Sequence, residues 1–134
     1  MEEAAVLAED VSFMNTHGTA TVYNDEMESK AIHLAGLETV PVHSLKSYFG
    51  HTLGASGVIE SIICIHELKE NVLFGTLGYE KPGVSMPILV QADHQEIPMK
   101  HCIKTASGFG GCNAAIVLLS LIHISEPTRL ALIS

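Results

Sequence analysis

Basic residues are scarce in this chain: seven Lys and Arg stand against fifteen Asp and Glu, a formal net charge of −8. A nucleic-acid surface needs a local concentration of Lys and Arg, so that class of partner is excluded. Cysteine is scarce too. Cys64, Cys102 and Cys112 are odd in number, form no CxxC pair and follow no signal peptide. A disulfide framework is not expected, and a reducing, cytoplasmic setting fits best. Long hydrophobic runs are missing: Val58 to Ile65 is broken by Glu60, and Ala114 to Ile122 is too short to span a bilayer. No membrane segment is expected. Cys64-Ile65-His66 and the scattered histidines lack a paired tetrahedral spacing, and no H-E-x-x-H is present. No metal site is expected from that spacing.

What is present is enough apolar material for one core, 47% of 134 residues, and hence one globular unit. Glu2 to Asp10 are helix formers that run into the apolar stretch Val11 to Met14, which reads as a helix tail entering a strand. After a polar loop, Asn24 or Asp25 can cap a helix to about Ala35 with Gly36 as its stop, and Met27, Ala31, Ile32 and Leu34 are expected to face the core. Val40 to Ser44 reads as a short strand. Thr52 is a plausible cap for a second helix, Leu53 to Leu68, whose Gly54, Ala55, Ser56 and Gly57 permit close backbone packing and suggest a central, buried helix. Ile88 to Val90, Cys102 to Ser107 and Asn113 to Ser120 read as strands beyond an irregular Gly/Pro-rich connection. Strands alternating with buried helices imply an α/β layered fold.

Three segments, in order, carry a family resemblance: Asn15-Thr16-His17-Gly18-Thr19-Ala20-Thr21 with Asn24-Asp25, Lys46 through Gly57, and Ser107 through Asn113. They resemble the N-x-H-G-T-x-T…N-D, K-S-x-x-G-H-x-x-G-A-x-G and G-F-G-G-x-N motifs of the β-ketoacyl-acyl-carrier-protein synthases. The glycine-rich segment after His51 alone is also similar to thiolases. His17-Gly18-Thr19 and Gly108 to Gly111 favour the synthase branch, and the terminal C-x-G-x-G of a thiolase is not found near Cys112. The resemblance runs from about Val11 to Leu119 and implies the C-terminal half of a thiolase-like layered fold, a mixed sheet packed against buried helices. Residues 1–119 are therefore assigned to a ketosynthase C-terminal domain truncated on its N-terminal side. Ser120 to Arg129 resembles a translated sequencing adapter, so residues 120–134 are set apart as a non-native tail. Met1 then reads as an internal methionine of a longer protein.

The resemblance implies an acyltransferase performing decarboxylative condensation of an acyl thioester with malonyl carrier protein, in fatty-acid, polyketide or aryl-polyene synthesis. His17 and His51 are the implied catalytic pair, sharing decarboxylation and enolate stabilisation, which two neutral imidazoles can supply. Lys46 resembles the family lysine and Glu60 the acidic residue of the buried helix. Paired, they would orient His51 and set its protonation, and a purely structural ion pair is the alternative. Thr19 and Thr21 are implied contacts of the phosphopantetheine arm or malonyl group, or ordinary loop stabilisers. Phe109, among its glycines, would gate the acyl pocket, or be a buried ring in a turn. No cysteine sits in the family's nucleophile elbow, so the isolated chain is expected to be inactive. No cofactor of its own is implied, since the phosphopantetheine arrives on the substrate. The implied partners are an acyl carrier protein and a homodimeric or heterodimeric synthase. The alternative is a non-catalytic subunit like a chain-length factor, against which the retention of both histidines argues.

Overall fold

The computed structural model describes residues 4–121. Its centre is a four-stranded mixed sheet in the order β2-β1-β5-β6, formed by β1 (Val11–Asn15), β2 (Val42–His43), β5 (His101–Gly108) and β6 (Cys112–Leu119). Strand β1 runs parallel to both β2 and β5, while β5 and β6 form an antiparallel hairpin. Strands β3 (Val72–Leu73) and β4 (Gln95–Glu96) make a separate antiparallel ribbon. The helices are α1 (Val22–Leu34), the single turn α2 (Lys46–Phe49) and α3 (Ser56–Glu70).

Both faces of the sheet are covered. Val11, Met14, Val42 and Ile103 pack with Ile32 of α1, together with Leu37 and Val40. Phe13 and Cys102 pack with Cys64 and Leu68 of α3, Leu73 and Met99 on the other face. Strict alternation would put Val11 and Phe13 on one face. A register shift between them against β5 turns Val11 to the α1 side instead, as a bulge does. The result is the α/β layered fold read from the sequence.

Several boundaries move. Helix α1 begins at Val22, with Thr21 as a cap residue that makes no side-chain capping bond, rather than at Asn24 or Asp25. Its inward side is Glu28, Ser29 and Ile32. Of the four residues expected to face the core only Ile32 does: Leu34 is 92% exposed, and Met27 and Ala31 are exposed too. The inward positions are taken by a carboxylate with structural work to do, so apolar spacing misreads the helix. A 3-10 turn at Leu53–Ala55 precedes α3, which runs on to Glu70 and stops at Asn71 in the left-handed conformation, φ 54°. Helix α3 is only half-buried within this chain, with Val58, Ile62 and Ile65 exposed. Ile88 to Val90 contributes one isolated bridge, Val42 to Val90, and not a strand. Of the helix formers at the start, Ala8–Asp10 form a 3-10 turn, and residues 1–3 lie outside the described ones. Ser120 is buried and its N–H donates to the Lys100 carbonyl at 2.8 Å, so the sheet's packing extends to it. The rest of the expected tail, from residue 122, lies outside the described residues.

Candidate active site

Strand β1 delivers Asn15, Thr16 and His17 in succession from the sheet's centre into the loop before α1, all of them buried. Two features hold that loop. Gly18 adopts φ +43°, and a Cβ there would stand 2.6 Å from Ser44, whose hydroxyl donates to the Gly18 carbonyl at 2.7 Å. The Glu28 carboxylate accepts the N–H groups of His17 and Gly18, each at 2.8 Å, and hydrogen bonds from Asn24 at 3.0 Å and Thr105 at 3.1 Å. Sequence reasoning passed over Glu28. Its signal was available, an acid three positions after Asn24-Asp25 on the helix that follows the histidine loop.

The two candidate histidines meet: the rings of His17 and His51 lie edge to face with centroids 5.2 Å apart. Each ring is pinned through Nδ1. The Lys46 ammonium, which can only donate, stands 3.3 Å from His17 Nδ1. The backbone N–H of Leu53 donates to His51 Nδ1 at 3.0 Å. Both Nδ1 atoms are thus acceptors, and in each neutral ring the proton belongs on Nε2. Leu53 holds φ 53°, a left-handed conformation that leucine rarely adopts, at the residue whose N–H fixes His51.

Behind this pair lies a buried charge network. Lys46 Nζ donates to Glu60 Oε1 at 2.8 Å, and Lys104 Nζ stands 2.6 Å from Glu60 Oε2, an ion pair off the ideal hydrogen-bond angle. All three side chains are under 8% exposed. The Lys46 to Glu60 pair is therefore as expected from the sequence, but it bears on His17, whereas His51 is set by Leu53. Burial, followed by the Lys46 ammonium, pulls the His17 pKa below its ordinary value, Glu28 opposes this, and His51 and Lys104 add to the lowering. His17 is accordingly held neutral. Lys104 is the second residue that sequence reasoning missed. A lysine one position after Cys102-Ile103 shares the α3 face of β5 with Cys102 and must be buried there, so the strand pattern itself was the signal.

Thr19 and Thr21 share a hydroxyl–hydroxyl bond of 2.7 Å and, with Lys46 and His51, line an open cavity of 710 Å³ that extends along α1 to residues 76–84. Phe109 is elsewhere: it sits at the tip of the β5–β6 hairpin beside Gly110 and Gly111, fully exposed and outside that cavity's lining. Cys112 opens β6 and is exposed, while Cys64 and Cys102 are buried on the α3 face.

A layered α/β sheet with a histidine pair, His17 after β1 and His51 beyond α2, is an arrangement of the thiolase-like class of folds. Within it, residues 1–80 match the family described as beta-ketoacyl synthase, C-terminal domain, and the chain belongs to that family. It is 34% identical over 122 residues to 3-oxoacyl-[acyl-carrier-protein] synthase 2 of Vibrio harveyi, covering 87% of this chain and 29% of that protein. It is 29% identical over 121 residues to the polyketide biosynthesis malonyl-ACP decarboxylase PksF of Bacillus subtilis (strain 168), covering 90% of this chain and 29% of that one. Among solved structures it is similar to the ketosynthase complex AntDE:AntF, a type II polyketide-synthase carrier protein with its ketosynthase. There the TM-score is 0.80 at 29% identity, over 90% of this chain and 30% of that chain. The chain thus spans less than a third of its relatives' length, rather than the half expected.

Proposed function

We propose that this chain is the C-terminal part of a 3-oxoacyl-acyl-carrier-protein synthase, supplying the decarboxylation half of a Claisen condensation in fatty-acid, polyketide or aryl-polyene synthesis. The observation that carries this reading is the pair of adjacent imidazoles, each with its Nδ1 facing a donor, which leaves Nε2 to carry the proton. A malonyl thioester losing carbon dioxide leaves the C–C bond pair on the α-carbon, delocalised onto the thioester oxygen. Two preorganised N–H donors stabilise that charge as it develops. Lys46 keeps His17 an Nε2–H donor, and Glu60 and Lys104 keep Lys46 in place. On this reading Thr19 and Thr21, which line the adjoining cavity, bind the phosphopantetheine arm that arrives on the carrier protein.

In the condensation step the enolate carbon attacks an acyl thioester on a cysteine, the new C–C bond forms and the cysteine thiolate leaves. That cysteine is none of Cys64, Cys102 and Cys112, and on this reading it lies outside the chain, which alone condenses nothing. An acyl carrier protein is the partner on this reading, as it is for the ketosynthase of AntDE:AntF. A second reading, malonyl-carrier decarboxylation without condensation, is favoured by the PksF relative and by a site whose described groups serve only loss of carbon dioxide. A chain-length-factor role, without chemistry, is disfavoured by the intact histidine pair.

The test is carbon dioxide release from malonyl carrier protein by the protein that carries this chain. Replacing His17 or His51 by Ala should each cost roughly 10²–10³-fold in rate, the usual loss for one oxyanion donor. Unchanged release would refute the assignment. Appearance of a β-ketoacyl product in the same assay selects condensation over simple decarboxylation.

A further inference from the structure

On the α3 face of the sheet a second polar cluster is buried. His43 ends β2, Cys64 and Glu67 are one turn apart on α3, and all are at most 1% exposed. One ring nitrogen of His43, the Cys64 sulfur and one Glu67 carboxylate oxygen lie within 4.8 Å of one another. Cys102 of β5 joins them, its thiol interacting with that of Cys64.

The cluster is under-satisfied as a hydrogen-bond network. Glu67 Oε1 accepts the Phe74 N–H at 2.9 Å, but Oε2 and His43 Nδ1 are buried without hydrogen-bond partners among the described residues. Glu67 Oε2 stands 3.4 Å from His43 Nε2, long for a hydrogen bond. It matches the edge of a tetrahedron around zinc, where nitrogen and oxygen ligands about 2.0–2.1 Å from the metal are about 3.3–3.4 Å apart. A buried carboxylate with a free oxygen is costly unless paired or metal-bound.

We propose that His43, Cys64 and Glu67, with Cys102 adjoining them, form a buried structural site for a divalent transition ion, zinc first among them. One thiolate, one carboxylate and a neutral imidazole balance the two charges of Zn²⁺. The site is hidden from sequence spacing because its ligands come from separate elements and only Cys64 and Glu67 are near in sequence. The three ligand residues are at most 1% exposed, so the ion enters as the chain folds. The inference is independent of the condensation reading.

The test is to refold the full 134-residue chain with zinc and with a chelator, then measure bound metal and the unfolding midpoint. The expected result is one zinc per chain surviving gel filtration, with a higher midpoint than the chelated chain. Cobalt in its place should show a thiolate-to-metal absorption band that is lost in Cys64→Ser and weakened in Glu67→Gln. Should a variant fail to fold, the wild-type comparison decides alone. A chain that refolds no better with zinc and retains none overturns the proposal.

Discussion

At the scale of single residues, charge placement decides how the site behaves. His17 binds a proton more weakly in the folded chain than in the unfolded one, because burial and two ammonium groups oppose imidazolium more than Glu28 favours it. In the window from the ordinary value of 6.5 down to the lowered one, the unfolded chain carries the extra proton, so stability falls as the solution is acidified. Denaturant midpoints measured across that window should show this slope, and the part belonging to His17 should vanish in His17→Asn. Lys104→Met removes one of the opposing charges. The His17 titration, followed by NMR, should then move to higher pH; an unmoved titration would mean that Lys104 does not act on the ring. Glu60 has the larger structural role, since it faces two buried ammonium groups. Glu60→Ala should destabilise by roughly 3–5 kcal/mol in chemical unfolding, the usual cost of stranding a buried charge.

At the scale of elements, the histidine loop and its neighbours work as a unit: β1 aims it, Ser44 after β2 closes on Gly18, and α1 returns Glu28 beneath it. Gly18→Ala places a Cβ against Ser44 in a left-handed backbone. It should cost about 1–3 kcal/mol in denaturant unfolding, and a neutral result would mean the loop is not held as described. The same elements show what the sequence made legible. His17, His51 and Lys46 could be found because they lie in segments that resemble the motifs of a family, and the two strands of the β5–β6 hairpin were legible as apolar runs either side of its glycines. Glu28 and Lys104 were not. They are charged residues buried by long-range partners, and although the alternation of β5 puts Lys104 on the buried face, a charge at such a position reads as surface. The exposure of Met27 and Leu34 on α1 is the same error seen from the other side.

At the scale of the whole molecule, the exposed face of α3 matters most. Val58, Ile62 and Ile65 project from a helix whose other side packs in the core, and the chain spans under a third of its relatives' length. The layered fold was legible from alternating strands and helices, but this half-coverage was not, because small residues such as Gly57 signal close packing without saying which chain supplies the neighbour. The central claim concerns the histidine pair, and it rests on which nitrogen of each ring carries the proton. Long-range ¹H–¹⁵N correlation spectra of the folded, histidine-labelled chain near neutral pH report this directly. The account predicts that both His17 and His51 are neutral with the proton on Nε2, and that His17 alone changes in Lys46→Met. A proton on Nδ1 of either ring, or a charged His17, would contradict it.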